Sequence, residues 1–384
     1  MVAYLDHSAT TRCFERVQEI VRKTMDDAYG NPSSMHKKGM EAETIVRGAA
    51  QTIAKTLKAT EKEIIFTSGG TESNNLALIG AAMAHRRAGN RLITTQIEHP
   101  SVSNTMKYLQ EQGFEVIWLP VSRDGIVSTD ALQEAVNDAT VLVSVMHVNN
   151  EIGSIQPLAE AAKIIHEKNP NTLFHVDAVQ SYGKMRIRPK KLGIDLLSAS
   201  GHKIHGPKGI GFLYRREKIR LQPILFGGGQ QAGLRSGTHN VPGIAGLGEA
   251  AAEAYENQED KTVRLRECKE RLLERTAQIE GIVINSPIGD DGAPHIVNLS
   301  IPGIRSEVML HALEEHGIYV SAGSACASNH PEPSRTLQAI GLEPALVESA
   351  LRFSFSSSTN LQEIDYAAEK LAELVPKLRR YVRH

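Results

Sequence analysis

Short apolar runs alternate with longer amphipathic segments between residues 63 and 214, and this alternation narrows the possible architectures more than any other feature of the chain. The runs are EIIFTS (63–68), RLITTQ (91–96), EVIWLPV (115–121), VLVSVMHV (141–148), TLFHVD (172–177), DLLSAS (195–200) and GIGFLY (209–214). Several are apolar at consecutive positions, the pattern of strands buried on both faces in a mostly parallel sheet. Between them NNLALIGAAMAHRRAG (74–89), DALQEAVND (130–138) and LAEAAKIIHEKN (158–169) carry helical spacing. Strand and helix in alternation predict an α/β layer, with ligand chemistry at the carboxyl ends of seven strands.

The pattern changes after about residue 245. Residues 246–281 read as one long charged helix, followed by strands in HIVNLSIPG and GIYVSAG and a closing helix in LQEIDYAAEKLAELVPKLRRYV. With 384 residues the chain exceeds the roughly 250–300 at which single cores stop growing, so two domains are expected. The larger is assigned to residues 16–250, and a smaller α/β domain to residues 1–15 and 251–384.

Forty-three basic residues against forty-four acidic ones leave a net charge of −1, which offers no field for a nucleic-acid backbone. No stretch reaches the roughly 18 apolar residues of a membrane span, and MVAYLDHSATT has neither a basic leader nor an apolar run, so a cytoplasmic location is expected. Three cysteines without regular spacing make neither a disulfide framework nor a zinc site.

Three clusters carry chemistry. In TSGGTESNN (67–75) a strand ends in Gly69 and Gly70 and a helix begins; paired glycines and free helix-start amides suit a phosphate, although an ordinary turn capped by Thr71 or Ser73 uses the same residues. In FHVDAVQ (174–180) Asp177 ends an apolar strand, where a carboxylate needs a cationic partner such as a protonated ring nitrogen, or a helix to cap. In SASGHKIHGPKGIG (198–211) Lys203 follows a buried strand among Ser, Gly and two histidines, an environment that lowers a lysine pKa toward Schiff-base chemistry. A phosphate cradle, an acid for a pyridinium and a lysine for an aldehyde are together the handles of pyridoxal 5'-phosphate. A fourth stretch, SAGSACASNHPEPS (321–334), places Cys326 among small residues that leave its sulfur uncovered.

With these clusters in place, the chain resembles the cysteine desulfurases of aminotransferase class V, the family of the NifS and IscS proteins. The resemblance runs from YLDHSATT to LRFSFSSSTN. TSGGTESNN, EHPSV, MHVNNEIG, HVDAVQ, SGHKIHGPKGIG, RSGTHN and GSACAS occur in the family's order. It implies the transferase fold of type I, with a large and a small domain, and conversion of L-cysteine to L-alanine with the sulfur held as a persulfide on Cys326.

The resemblance further implies that Lys203 carries the cofactor covalently and moves the substrate α-proton. Asp177 pairs with the ring nitrogen, Gln180 reaches the phenolic oxygen, and His99 stacks on the ring as a candidate acid or base. Gly70, Thr71, Ser200 and His202 meet the phosphate. Thr238 meets it from a second subunit, which makes the enzyme a homodimer. Asn150 and Arg352 receive the substrate carboxylate, for which a guanidinium fork is suited. The sulfur acceptors implied are iron–sulfur scaffold proteins and tRNA-thiolation enzymes.

The chain departs from the commonest pattern at His7, Gly70, Ala322 and Pro331, the last a fixed φ angle after the cysteine. A selenocysteine lyase and a scaffold without catalysis are the alternatives. Cys326 in GSACAS weighs against the first, and Lys203, Asp177, His99 and Arg352 against the second.

Overall fold

The computed structural model describes residues 1–322 and 333–381; Cys326, with Asn329, His330 and Pro331, lies outside the described residues. Each of the seven apolar runs forms a strand of one sheet. Its order is Ile64–Thr67, Gly211–Arg215, Leu196–Ser200, Leu173–Asp177, Thr140–Met146, Arg91–Thr95 and Glu115–Leu119. Gly211–Arg215 runs antiparallel to both neighbours, and the other pairings are parallel.

The consecutive apolar positions are explained by two cores, one on each face. Phe66, Val143, Phe174, Val176, Leu197 and Phe212 join one cluster with residues of the helices Lys37–Leu57 and Val241–Tyr255. Ile65, Leu142, Leu173, Leu196 and Leu213 join the other with Leu76, Ala77 and Ala81 of the helix Gly70–His85 and Met106 of the helix Pro100–Glu111. Side chains alternate across a strand, so two apolar layers require runs without polar interruption.

A second, antiparallel sheet has the order Ser321–Ala322, Ala350–Ser354, Ile296–Ser300 and Val283–Ile284. Its core gathers Leu299, Phe353 and Leu351 with Leu272 of the helix Gln258–Thr276 and Leu371 of the helix Leu361–Arg379. Ala3 and Leu5 join this core, and Ala3–Tyr4 pairs with Ile318–Tyr319.

Two expectations are corrected. The charged segment 246–281 is not one helix, because Asn257 adopts a left-handed conformation (φ 50°) and separates Val241–Tyr255 from Gln258–Thr276. Asn tolerates this region better than most residues, and the turn lets Gln258 be buried. GIYVSAG likewise holds two short strands, Ile318–Tyr319 and Ser321–Ala322, which belong to different sheets. Among the described residues no helix is long and apolar enough to cross a membrane.

Candidate active site

The parallel strands end on one side, and the segments leaving those ends converge on a cavity of about 400 Å³. Gly70, Thr71, His99, Asn150, Asp177, Gln180, Ser200, His202, Lys203 and Arg352 all line it. Thr238 does not; it is exposed on the segment that precedes the helix Val241–Tyr255. Cys13 and Cys268 are absent from the lining as well. Cys13 donates to Gly206 O at 3.3 Å, and Cys268 is enclosed in the core of the small sheet, where burial pushes its thiol up to about 11.

At the Gly70 side of the cavity, the helix Gly70–His85 starts without a side-chain cap. Ser73 Oγ pairs with Thr67 Oγ1 at 2.7 Å, and Glu72 is committed to Ser68 N and to Arg235, so neither occupies the helix start. Unclaimed amides at the positive end of a helix form an anion site. Gly70 is needed for the close approach of chains here, since a Cβ on it would come within 2.7 Å of Val179 Cγ2. His202 hydrogen-bonds Thr10 Oγ1 through Nδ1 at 3.2 Å; burial first, then the charges of Lys203 and Lys208, pushes it down to about 4.

Asp177, which also lines the cavity, is 5% exposed. Its Oδ1 accepts from Val179 N at 2.9 Å and its Oδ2 from Asn74 Nδ2 at 2.8 Å. Asn74 also donates to Ser101 Oγ at 2.8 Å, and Ser101 Oγ meets His99 Nδ1 at 2.8 Å. A polar chain thus runs from the carboxylate to the imidazole. His99 caps the helix Pro100–Glu111, with Nδ1 accepting from Ser101 N at 3.2 Å, which leaves the proton on Nε2 in the neutral ring. Burial lowers the His99 pKa against the opposing pull of Asp177, and Lys203 lowers it further.

Lys203 sits on the turn after Leu196–Ser200, where its Nζ donates to Ser8 O and, at 2.8 Å, to Ala9 O. Gln180 donates through Nε2 to the same Ser8 O at 3.0 Å and leaves its buried Oε1 without a partner among the described residues. Arg352 comes from the small sheet. Its Nη1 donates to Asn150 O at 2.9 Å, its Nη2 to Asp6 Oδ1 at 2.7 Å, and its buried Nε has no partner among the described residues. Two of the five guanidinium N–H bonds are thus engaged among the described residues, and the others, Nε–H included, can meet a carboxylate.

These donors fit an aromatic aldehyde phosphate. A carboxylate and an amine stand in one cavity with an imidazole and an open helix start, as a pyridinium, an aldehyde, a ring face and a phosphate require.

The family model for aminotransferase class-V matches residues 3–367. The chain belongs to the aminotransferase class-V family. Within it, the cysteine desulfurase IscS of Salmonella schwarzengrund is 42% identical over 381 residues, covering 98% of this chain and 93% of that protein. The IscS of Dictyoglomus turgidum is 40% identical over 377 residues, with coverage of 98% and 95%. Among solved structures, a NifS-like protein superposes with a TM-score of 0.93 at 37% identity, covering 98% of this chain and all of that one (100%). SspA in complex with cysteine gives 0.82 at 35% identity, covering 94% and 100%. Family members of this kind are generally dependent on pyridoxal phosphate.

Sequence reasoning did not assign Asn74, Ser101, Ser8, Ala9 or Asp6. All five lie inside the quoted motifs TSGGTESNN, EHPSV and YLDHSATT, so motif membership was the available signal. It also passed over Glu98, whose Oε1 accepts from Thr95 Oγ1 at 2.8 Å and Met146 N at 2.9 Å, and whose carboxyl burial pushes up to about 8.

Proposed function

We propose that the protein is a pyridoxal phosphate-dependent cysteine desulfurase that converts L-cysteine to L-alanine and carries the sulfur as a persulfide on Cys326. The observation that supports this most is the cavity in which Lys203, Asp177, His99 and Arg352 meet, in a chain similar over nearly its full length to cysteine desulfurases.

When bound, the cofactor supplies an electron sink for the substrate α-carbon. Asp177, steadied by Asn74 and Val179 N, would hold the protonated ring nitrogen. Gln180 would meet the phenolic oxygen, and Gly70, Thr71, Ser200 and His202 would hold the phosphate. Arg352 and Asn150 take the substrate carboxylate, with Arg352 releasing or sharing its contact to Asp6. Lys203 moves the α-proton, and His99, with its proton on Nε2, is the second proton carrier.

Cys326 then supplies the nucleophile. Its thiolate sulfur bonds to the substrate sulfur, the substrate C–S bond breaks with its electron pair passing to carbon, and protonation there yields L-alanine. The product is Cys326–S–SH, which transfers its outer sulfur to an acceptor protein of the iron–sulfur scaffold or tRNA-thiolation kind. A thiol that must begin each cycle reduced suits the cytoplasm.

The active form is a homodimer. Thr238 is exposed and stands away from its own chain's cavity, close in sequence to Phe226, which is 79% exposed, an arrangement suited to completing a neighbour's phosphate site. The large domain comprises residues 16–250; residues 1–15 and 251–384 form the small domain, which brings Arg352 to the cavity and carries Cys326 in its sequence.

Purified holoenzyme should absorb in the visible range and release alanine from L-cysteine. Cys326→Ala should keep the absorbance and lose alanine formation, whereas Lys203→Ala should lose the absorbance of the lysine-bound cofactor. Parental alanine formation and sulfur delivery by Cys326→Ala would overturn the assignment.

A further inference from the structure

A second cavity, of about 40 Å³, lies behind Lys203, and Lys203 is the single residue it shares with the larger one. Its polar lining is cationic or neutral: Lys184, Lys203, His205, Gln258 and Lys261 contribute beside hydroxyl residues, and among the described residues no Asp or Glu does. We propose that this cavity is a binding site for a small monovalent anion, halide in size.

Gln258 is the first indication. It is 4% exposed, lines the cavity, and has no partner among the described residues for either Nε2 or Oε1. A buried amide left this way carries its desolvation penalty uncompensated unless something outside the protein satisfies it. Gln258 also opens the helix Gln258–Thr276, whose N-cap, Asn257, makes no side-chain cap, so the positive end of that helix adds to the same place.

Lys184 is the second. Its Nζ donates to Lys203 O at 3.0 Å, the one acceptor it has for three N–H bonds among the described residues. The single O–H of Thr262 lies within reach of both Gln258 O, at 2.9 Å, and Lys184 O, at 3.3 Å, so the two backbones approach each other at this threonine. The charges acting on Lys184 include no carboxylate; burial and then Lys203 push it down to about 7. Glu253, on the preceding helix, and Glu256, just past its end, act on Lys261.

The space would hold about three waters at 10–15 Å³ of this volume each. Water would satisfy the Gln258 amide but offer no counter-charge to Lys184, whose protonated form burial disfavours. A single anion receives N–H bonds from both and supplies that charge. Such an ion stands on the side of Lys203 away from the cofactor cavity, and the inference does not depend on the reaction proposed above.

The test is a titration of the holoenzyme's unfolding midpoint with sodium chloride or bromide against sodium gluconate at matched ionic strength. A crystal grown in bromide is then read for anomalous scattering. Saturable stabilisation by halide is expected, with the folded-to-unfolded ratio raised about tenfold at ten times the dissociation constant. An anomalous peak between Gln258 and Lys184 should accompany it. Gln258→Leu and Lys184→Met should abolish the halide response, with folding verified by the midpoint in gluconate. If either variant fails to fold, Gln258→Glu, which puts a carboxylate where the anion sits, takes its place. A cavity holding water only, or a halide response retained in these variants, would overturn the proposal.

Discussion

Asn74 holds two otherwise separate parts of the site together, since its amide donates both to Asp177 Oδ2 and to Ser101 Oγ, the latter in contact with His99. Asn74→Ala would leave a buried carboxylate oxygen without that donor. The loss is expected to cost about 1–3 kcal/mol of stability and to weaken cofactor retention, because Asp177 loses the bond that fixes its plane. Thermal unfolding and a titration with pyridoxal phosphate measure both; an unchanged cofactor affinity would contradict the link between Asn74 and Asp177. At this scale the sequence was most legible where a residue type is chemically costly in its position. Lys203 and Asp177 stood out because a lysine and an aspartate at the ends of apolar strands require a reason. Asn74 and Ser8 did not, because an amide inside a helix and a backbone carbonyl near the amino terminus carry no such cost in sequence. Their importance comes from a neighbour 103 positions away for Asn74, and 195 for Ser8.

The elements of the large sheet were readable because both faces are buried and the apolar runs are therefore uninterrupted. The segment 246–281 was misread for the opposite reason: helical spacing continues on both sides of Asn257, and a single left-handed residue has little compositional signature. Asn257→Val is expected to destabilise the protein by about 1–2 kcal/mol, the cost of forcing a β-branched residue into that conformation, while Asn257→Gly stays close to the parent. Chemical denaturation distinguishes the two. Equal effects would mean that the turn owes nothing to its φ angle. GIYVSAG was misread for a tertiary reason, since only the partners of Ile318–Tyr319 and Ser321–Ala322 divide that run between two sheets.

Taken as a whole, the molecule buries neutral histidines, and this sets its response to acid. Burial pushes His175 and His7 down to about 3, and His147, His202 and His205 down to about 4, from an ordinary value of 6.5. Between these values and 6.5 the unfolded chain binds protons that the native one does not, so stability rises with pH across the window and falls as pH drops through it. Glu98, raised to about 8, has the opposite sign between 4.5 and 8 and offsets one of the five. The unfolding midpoint should therefore fall steeply from about pH 6.5 toward 4. His175→Gln should reduce that slope by about one proton; a slope unchanged in the variant would show that His175 is not held neutral. Also at this scale, the sequence resemblance anticipated which strand ends would converge. Thr238 lies outside its own chain's cavity, and the role proposed for it is the one that requires a second subunit.

The central claim is that sulfur leaves cysteine for Cys326. Holoenzyme given L-cysteine in the absence of reductant and acceptor, then alkylated and analysed by peptide mass spectrometry, tests it most directly. One added sulfur on the peptide containing Cys326, in proportion to alanine formed in the first turnover, is the predicted result. Alanine formed in a full first turnover with the added sulfur on Cys13 or Cys268, or on no cysteine at all, would contradict it.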